Sequence, residues 1–600
     1  MSRWGLRVLV LAATVLSSAE VRGALRIDSL APKGHGYQQD VHQQCMQVQG
    51  MGQLPPTVVV NGRDLPAHRV ERNARSLCFS LSKGSPSGPV WLREAGRTSN
   101  SVWFTTQGSS VRASAKEHWV KVADRVVTAV DLVSLILPED SDGLEQARRI
   151  ARHHDLEIVG AIPALNVFQF RLQARSLAQR NAIVSRLQTD STVMGVVVED
   201  DNLEALEDPD REIEPADHEG WVANNVHPAV DVYEQYLQGR GRSHTPGTVK
   251  VGVIEKGVNF DSIDFSMFAR PCDGVGACLY ARHNCAPNAH GSVVSGILAA
   301  RIYRNGNLAL LSRLGAAGGR FDIIVDRGAA AGVTARIAAS VNLVEDGVRV
   351  LNWSWGVHRM GALNLKGEPV DVNVRSAVAM DGYGLLLERF FHWLERRHPN
   401  VVVVNSAGNN TSTTDDHLPA SLVFDQLFVV GAHQRSRNHT DVADPRFAMP
   451  RRSSNVGERI DISAAACPSP PRSTLPRTGR GGGCGTSYAA ALVTSVVAAM
   501  VSINPGLTPK QIKSLLRQSA LPMVAGADRE TRIGPIRSVA RLDMSQALKL
   551  AIKRQGPPHL PSDMHQGGQR RFASPTTSWP GAWCVSRPFS ARCGDGMPQE

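Results

Sequence analysis

Serine chemistry on an acyl group needs a nucleophile, a base within hydrogen-bond reach, a carboxylate that fixes the base's tautomer, and donors for an oxyanion. The sequence carries one candidate for each task. Ser487 stands in GGGCGTSYAAALVTSVVAAM, His290 in NAHGSVVSGILAA, Asn409 in VVVVNSAGNN and Glu255 in VKVGVIEKGVNFD. Taken singly each is ordinary, since a histidine before an apolar helix usually caps or packs, and asparagines after a glycine are common turn residues. Taken together they divide the roles, with Ser487 as nucleophile, His290 as base, Glu255 as acid and Asn409 as oxyanion donor. The backbone N–H of Ser487, at a helix start, is a second donor.

Side chains far apart in a chain meet only if regular elements carry them to one place. The runs VKVGVIEK, FDIIVD, VRVLNWSW, NVVVVNSAG, QLFVVGAH and RIDISA are apolar β-formers of the kind buried on both faces of a sheet. Helices are expected at 290–303, 373–397, 487–503 and 509–518. In the first of these Val293, Val294, Ile297 and Leu298 share a face, and the third is apolar nearly all round. This alternation predicts an α/β fold, a doubly wound and mostly parallel sheet, whose ligands bind at the carboxyl ends of the strands. Glu255 and Asn409 fall at such ends.

The segments GTSYAAALV, HGSVVSGILAA, VVVVNSAGNN and VGVIEKGV resemble the Ser, His, Asn and Asp motifs of the subtilisin-like serine proteases. They stand in that family's chain order, acid then His then Ser. LNWSWG, with Ser354 and Gly356, resembles the family's substrate-binding strand, which pairs with an extended peptide by β-augmentation. INPGLTPKQIKSLL resembles the turn and helix after the serine helix. The resemblance spans 221–552 and implies a serine-type endopeptidase acting on polypeptides. It requires no cofactor; it allows calcium, for which no ligands are assignable, and no metal site is read from the sequence.

The pattern departs from the family where it matters most. Glu255 and Lys256 stand where an Asp followed by Thr or Ser is usual. One extra methylene moves a carboxylate by about 1.5 Å on a fixed backbone. Glutamate serves as triad acid on the α/β-hydrolase fold, so the chemistry is permitted if the backbone accommodates the length. Lys256 should point the other way, because successive strand residues alternate faces. On the serine helix, Ala491, Leu492 and Ser495 replace the family's Pro, His and Gly, which bears on packing more than on chemistry. An alternative is a catalytically impaired relative acting as a secreted binding protein. The sedolisin group, acid-active and drawing two acids from one helix, is a poorer match because the helix here begins with His290. A His-dependent mechanism makes activity rise with pH as the imidazole loses its proton.

Upstream, residues 126–206 read as βαββαβ: DLVSLILP, GLEQARRIARHH, EIVGAIP, NVFQFRLQ, RSLAQRNAIVSRLQ and VMGVVVEDD. That order is a split-βαβ, ferredoxin-like unit of about 80 residues. In this position it resembles the family's propeptide, an intramolecular inhibitor, which places a maturation site in the acidic linker 207–220. Residues 25–120, with CMQVQG, TVVVNG, SLCFSLS, PVWLRE and SVWFTT between turn residues, predict a small β-sandwich pinned by Cys45 and Cys78, which resembles the immunoglobulin-like modules of some exported proteins. The first 19 residues, with Arg3 and Arg7 before a short apolar stretch, have the form of a secretory signal. Residues 553–600 are rich in Pro, Gly and Arg.

A chain of 600 residues exceeds one core, so several domains are expected. The net charge of +11 comes from dispersed arginines, without the concentrated footprint of a nucleic-acid binder. No stretch after the signal reads as a transmembrane helix, the most apolar, near 489–503, also fitting a buried core helix. The nine cysteines suit a secreted or periplasmic, oxidising compartment. Cys45 with Cys78, Cys467 with Cys484 and Cys584 with Cys593 are natural local pairs, leaving Cys272, Cys278 and Cys285 as a trio that a zinc site fits less well than a disulfide.

Overall fold

The computed structural model describes residues 24–202 and 220–555, apart from 35, 54, 74, 242–245, 256, 273, 284–287, 303–307, 328–331, 437, 468–483 and 525–539. The expected signal segment, Lys256, Cys285, nearly all of the linker and all but the first residues of the tail lie outside the described residues.

The apolar runs form one sheet. From one edge its order is Ala448–Pro450, Leu427–Arg435, Val402–Ser406, Val350–Trp353, Val249–Ile254, Arg320–Asp326 and Gly276–Arg282. All of these neighbours run parallel except Ala448–Pro450, which is antiparallel. The strand of Glu255 therefore lies in the middle of the sheet, with Val251 and Val253 fully buried. Helix Thr486–Ile503 is buried along its whole length. It is long and apolar enough to cross a membrane, yet it packs inside the protein against the sheet. The His290 helix, Ala289–Leu298, ends five residues short of the expected 303, with Ala299 already extended. Helices Val226–Gly239, Val333–Glu345 and Met544–Gln555 and strand Gly276–Arg282 were not anticipated from the sequence.

Residues 119–202 form a separate sheet. Strand Val126–Ile136 sits between Val167–Arg171 and Gly195–Asn202, Val167–Arg171 pairs onward with Glu157–Ile162, and Trp119–Ala123 makes a hairpin with Val126–Ile136. Helices Gly143–His154 and Leu177–Gln188 follow the first and third of the βαββαβ strands, and each is capped by an N-cap side chain, Asp142 and Ser176.

Residues 24–104 form two groups of strands. One, Arg26–Lys33, Asp40–Gln49, Ser76–Ser80 and Val70–Arg72, is a sheet by itself. The Cys45–Cys78 disulfide joins directly opposed residues of that sheet, so it staples one sheet rather than two. The other group, Thr57–Val60, Gly88–Glu94 and Val102–Phe104, continues the large sheet past Gly276–Arg282. Cys467 pairs with Cys484 as expected, and Cys272 pairs with Cys278. Among the described residues, no group of three His, Cys, Asp or Glu is placed to hold a metal ion.

Candidate active site

Glu255 follows the central strand, and its backbone N–H continues the ladder by donating to Asp326 O at 3.1 Å. Its side chain is 5 % exposed. His290 is the second residue of its helix, whose start is fixed by Asn288 accepting from Gly291 N at 3.2 Å. The helix comes so close to the strand end that a Cβ on Gly291 would lie 2.0 Å from Gly257 O. Only glycine fits there, and the approach brings the two functional side chains together: His290 Nδ1 is 3.2 Å from Glu255 Oε2. The imidazole is 40 % exposed and open to a substrate.

Ser487 opens the buried helix one residue after Thr486. Its Oγ donates to Ser354 O at 3.4 Å, while Ser354 Oγ donates to Ser487 O at 2.9 Å. The next residue, Tyr488, sets its ring 5.6 Å from the His290 ring. Burial, reinforced by the Glu255 charge, pushes its phenol up to about 12, so it walls the imidazole as a neutral group. Sequence reasoning passed over Tyr488, although its place beside Ser487 was a signal.

Asn409 lies in the loop after strand Val402–Ser406. Its Oδ1 accepts from Thr486 N at 2.8 Å and Thr486 Oγ1 at 3.0 Å. A backbone N–H can only donate, so the amide's orientation is dictated and its NH2 group is turned the other way, as a donor. Gly408 N donates to Thr486 Oγ1 at 3.1 Å, which ties the loop to the serine helix.

Ser354 and Gly356 follow strand Val350–Trp353. Ser354 Oγ accepts from Asn352 Nδ2 at 2.9 Å, and Asn352 Oδ1 accepts from Thr494 Oγ1 at 3.0 Å. Asn405 Nδ2 donates to Trp353 O at 3.0 Å and Trp355 O at 2.8 Å, bracing the chain at the strand end. At Gly356 a Cβ would lie 2.0 Å from His417 Cε1. The His417 and His358 rings lie tilted to one another, 4.5 Å apart, beneath this segment. Burial holds His417 well below the usual imidazole value and lowers His358 to about 4. The sequence did not single out Asn352, Asn405 or this histidine pair, because their roles arise from contacts between segments distant in the chain.

The six residues singled out from the sequence thus cluster about the carboxyl ends of neighbouring strands and the start of one helix. Residues 247–549 match the family described as Subtilase family, Peptidase S8. The chain belongs to the subtilase family. Serine-type peptide-bond hydrolysis is the reaction class of that family. Among solved structures, this subtilase is similar to fervidolysin from Fervidobacterium pennivorans, a keratinolytic enzyme related to subtilisin. The identity is 16 %, over 74 % of this chain and 65 % of that one, with a TM-score of 0.45. It thus spans less than two thirds of fervidolysin. It is also similar to the epidermin leader peptide processing serine protease of Staphylococcus aureus, at 16 % identity over 70 % of this chain and 98 % of that one, with a TM-score of 0.40. No curated protein matches the subtilase described here.

Proposed function

We propose that this subtilase is an exported serine endopeptidase that works through a Ser487–His290–Glu255 variant of the subtilisin triad, with Asn409 as oxyanion donor. The observation that carries the reading is the 3.2 Å contact between His290 Nδ1 and Glu255 Oε2. With Nδ1–H donating to the carboxylate, Nε2 is the basic nitrogen. It takes the Ser487 proton as Oγ attacks the scissile carbonyl, and returns that proton to the leaving amine. Glu255 steadies the imidazolium formed between these steps. The oxyanion receives N–H donors from the Asn409 amide and from the backbone of Ser487. Water then repeats the attack on the acyl-enzyme. Ser354–Gly356 pairs with the extended substrate backbone.

The upstream segment fits a zymogen. Its strands stand in the order fourth, first, third, second of βαββαβ, as a ferredoxin-like propeptide would. Glu199, at the end of strand Gly195–Asn202, caps helix Val333–Glu345 by accepting from Val333 N at 3.1 Å and Thr334 N at 3.0 Å. The Thr334 hydroxyl and Tyr383 Oη also donate to it. Asp200 caps helix Ala377–Arg397 by accepting from Ser376 N at 2.8 Å. Two carboxylates on two helix N-termini favour docking through hydrogen bonds and helix dipoles. Cleavage in the linker would mature the enzyme, and the signal-type N-terminus would export it to an oxidising compartment.

A fluorophosphonate probe tests the reading. Stoichiometric labelling of Ser487 in protein freed of the upstream unit, lost in Ser487→Ala, is the expected result. Failure of folded protein to label would favour the impaired relative that acts by binding.

A further inference from the structure

Residues 24–104 do not stand apart as a spacer. Strand Val102–Phe104 runs parallel to Gly276–Arg282, with Val102 opposite Ala281, and carries the sheet on into Gly88–Glu94 and Thr57–Val60. Without it, Gly276–Arg282 would be an open edge containing Leu279 and Tyr280, the kind of edge that pairs with other chains.

Trp103 is the anchor. It is 2 % exposed, its ring lies 5.4 Å from that of Tyr280, and the Lys250 ammonium sits 5.2 Å from it. Its indole N–H donates to Asp346 Oδ2 at 3.0 Å, and Thr105 Oγ1 donates to Asp346 Oδ1 at 3.1 Å. Next to this, the Asn342 side chain accepts from Ser109 N at 3.1 Å and donates to Ser109 O at 2.7 Å. A buried aromatic residue with its polar atom satisfied, ringed by further bonds, has the composition of an interface hot spot. The apolar contacts behind it are continuous: Val58, Phe79 and Phe104 belong to the same core as Val253, Leu279 and Val294.

Each described disulfide lies wholly on one side of the acidic linker, so nothing covalent among them bridges it. We propose that residues 24–109 are a permanent noncovalent subunit of the catalytic region. When the chain is cut between 203 and 219, the N-terminal fragment stays seated on strand Gly276–Arg282 through Trp103, and holds residues 119–202 with it. The biological use of this seat rests on the zymogen reading. A unit tethered to a seated module faces its docking helices at an effective concentration on the order of millimolar, so one cut leaves it in place.

The test uses the full chain carrying Ser487→Ala, with a recognition sequence for a site-specific protease placed in the 203–219 stretch. After complete cutting, two fragments on a denaturing gel and one peak in native size-exclusion chromatography are expected. Separation of the fragments under native conditions would overturn the proposal. Trp103→Ala risks misfolding, so Asp346→Ala, which removes the acceptor for Trp103 and Thr105, is the second variant. The cut Asp346→Ala protein should lose its N-terminal fragment about tenfold faster or more. An unchanged rate would remove Trp103 and Asp346 from the seat. Peptide hydrolysis by the uncut chain with Ser487 intact is the separate control: full activity there would sink the zymogen reading while leaving the co-elution result standing.

Discussion

Glu255 reaches His290 with its longer side chain, Oε2 resting 3.2 Å from Nδ1 on an imidazole that remains partly open to solvent. The contact is possible because Gly291 lets the His290 helix press onto the loop after the central strand, where a Cβ would strike Gly257 O.

If Glu255 orients the base, Glu255→Ala should lower kcat by about 10⁴ with little change in KM, as loss of the orienting acid does in serine proteases. Glu255→Asp should fall between the two, because the strand and helix are spaced for the longer acid. Steady-state kinetics on a peptide substrate would decide. Equal rates for Glu, Asp and Ala at 255 would remove the residue from the triad.

The proposed oxyanion role of Asn409 and its contact with Thr486 are separated by a pair of variants. Asn409→Asp keeps an acceptor for Thr486 N–H but loses the donor, so kcat should drop by about 10²–10³ while the urea midpoint holds. Asn409→Ala loses both, and should cost about 1 kcal/mol of stability as well. A normal kcat in the Asp variant would mean that the oxyanion is held elsewhere.

Glu199 is the acceptor for four donors at the junction of the upstream unit and helix Val333–Glu345. Burial pushes its carboxyl pKa up, against the pull of those donors. Glu199→Ala leaves the donors buried and unpaired, at a cost of about 1–3 kcal/mol. Hydrogen exchange at the start of that helix should accelerate. Unaltered protection there would show that the junction does not depend on the cap.

His358 resists protonation in the folded protein, its value lowered to about 4 by burial. The unfolded chain takes up a proton near the ordinary imidazole value of about 6.5, so the unfolded state binds more protons below that pH. The stabilising contribution is complete above about 6.5 and is lost as pH falls toward 4, amounting to about 3 kcal/mol at about 1.4 kcal/mol per unit. Urea midpoints of wild type should fall more steeply over this range than those of His358→Gln. Parallel slopes would contradict the assignment.

Strand and helix periodicity, read with the polar residues that interrupt it, was enough to place Glu255, His290, Asn409 and Ser487 at the ends of elements, since apolar runs and their breaks are local properties of the chain. Local signals also marked most strands of residues 25–202 and the pairing of Cys45 with Cys78 and of Cys467 with Cys484. What they could not supply was contact. That Glu255 touches the imidazole depends on a helix arriving at Gly291 from 35 residues along the chain. That Thr486 dictates the orientation of Asn409, that His417 presses on Gly356, and that Trp103 seats the N-terminal strands on the sheet edge are likewise meetings of residues distant in sequence. Composition and spacing fix which elements form; only packing, where a close approach or a buried partner selects one arrangement, fixes which side chains they bring together.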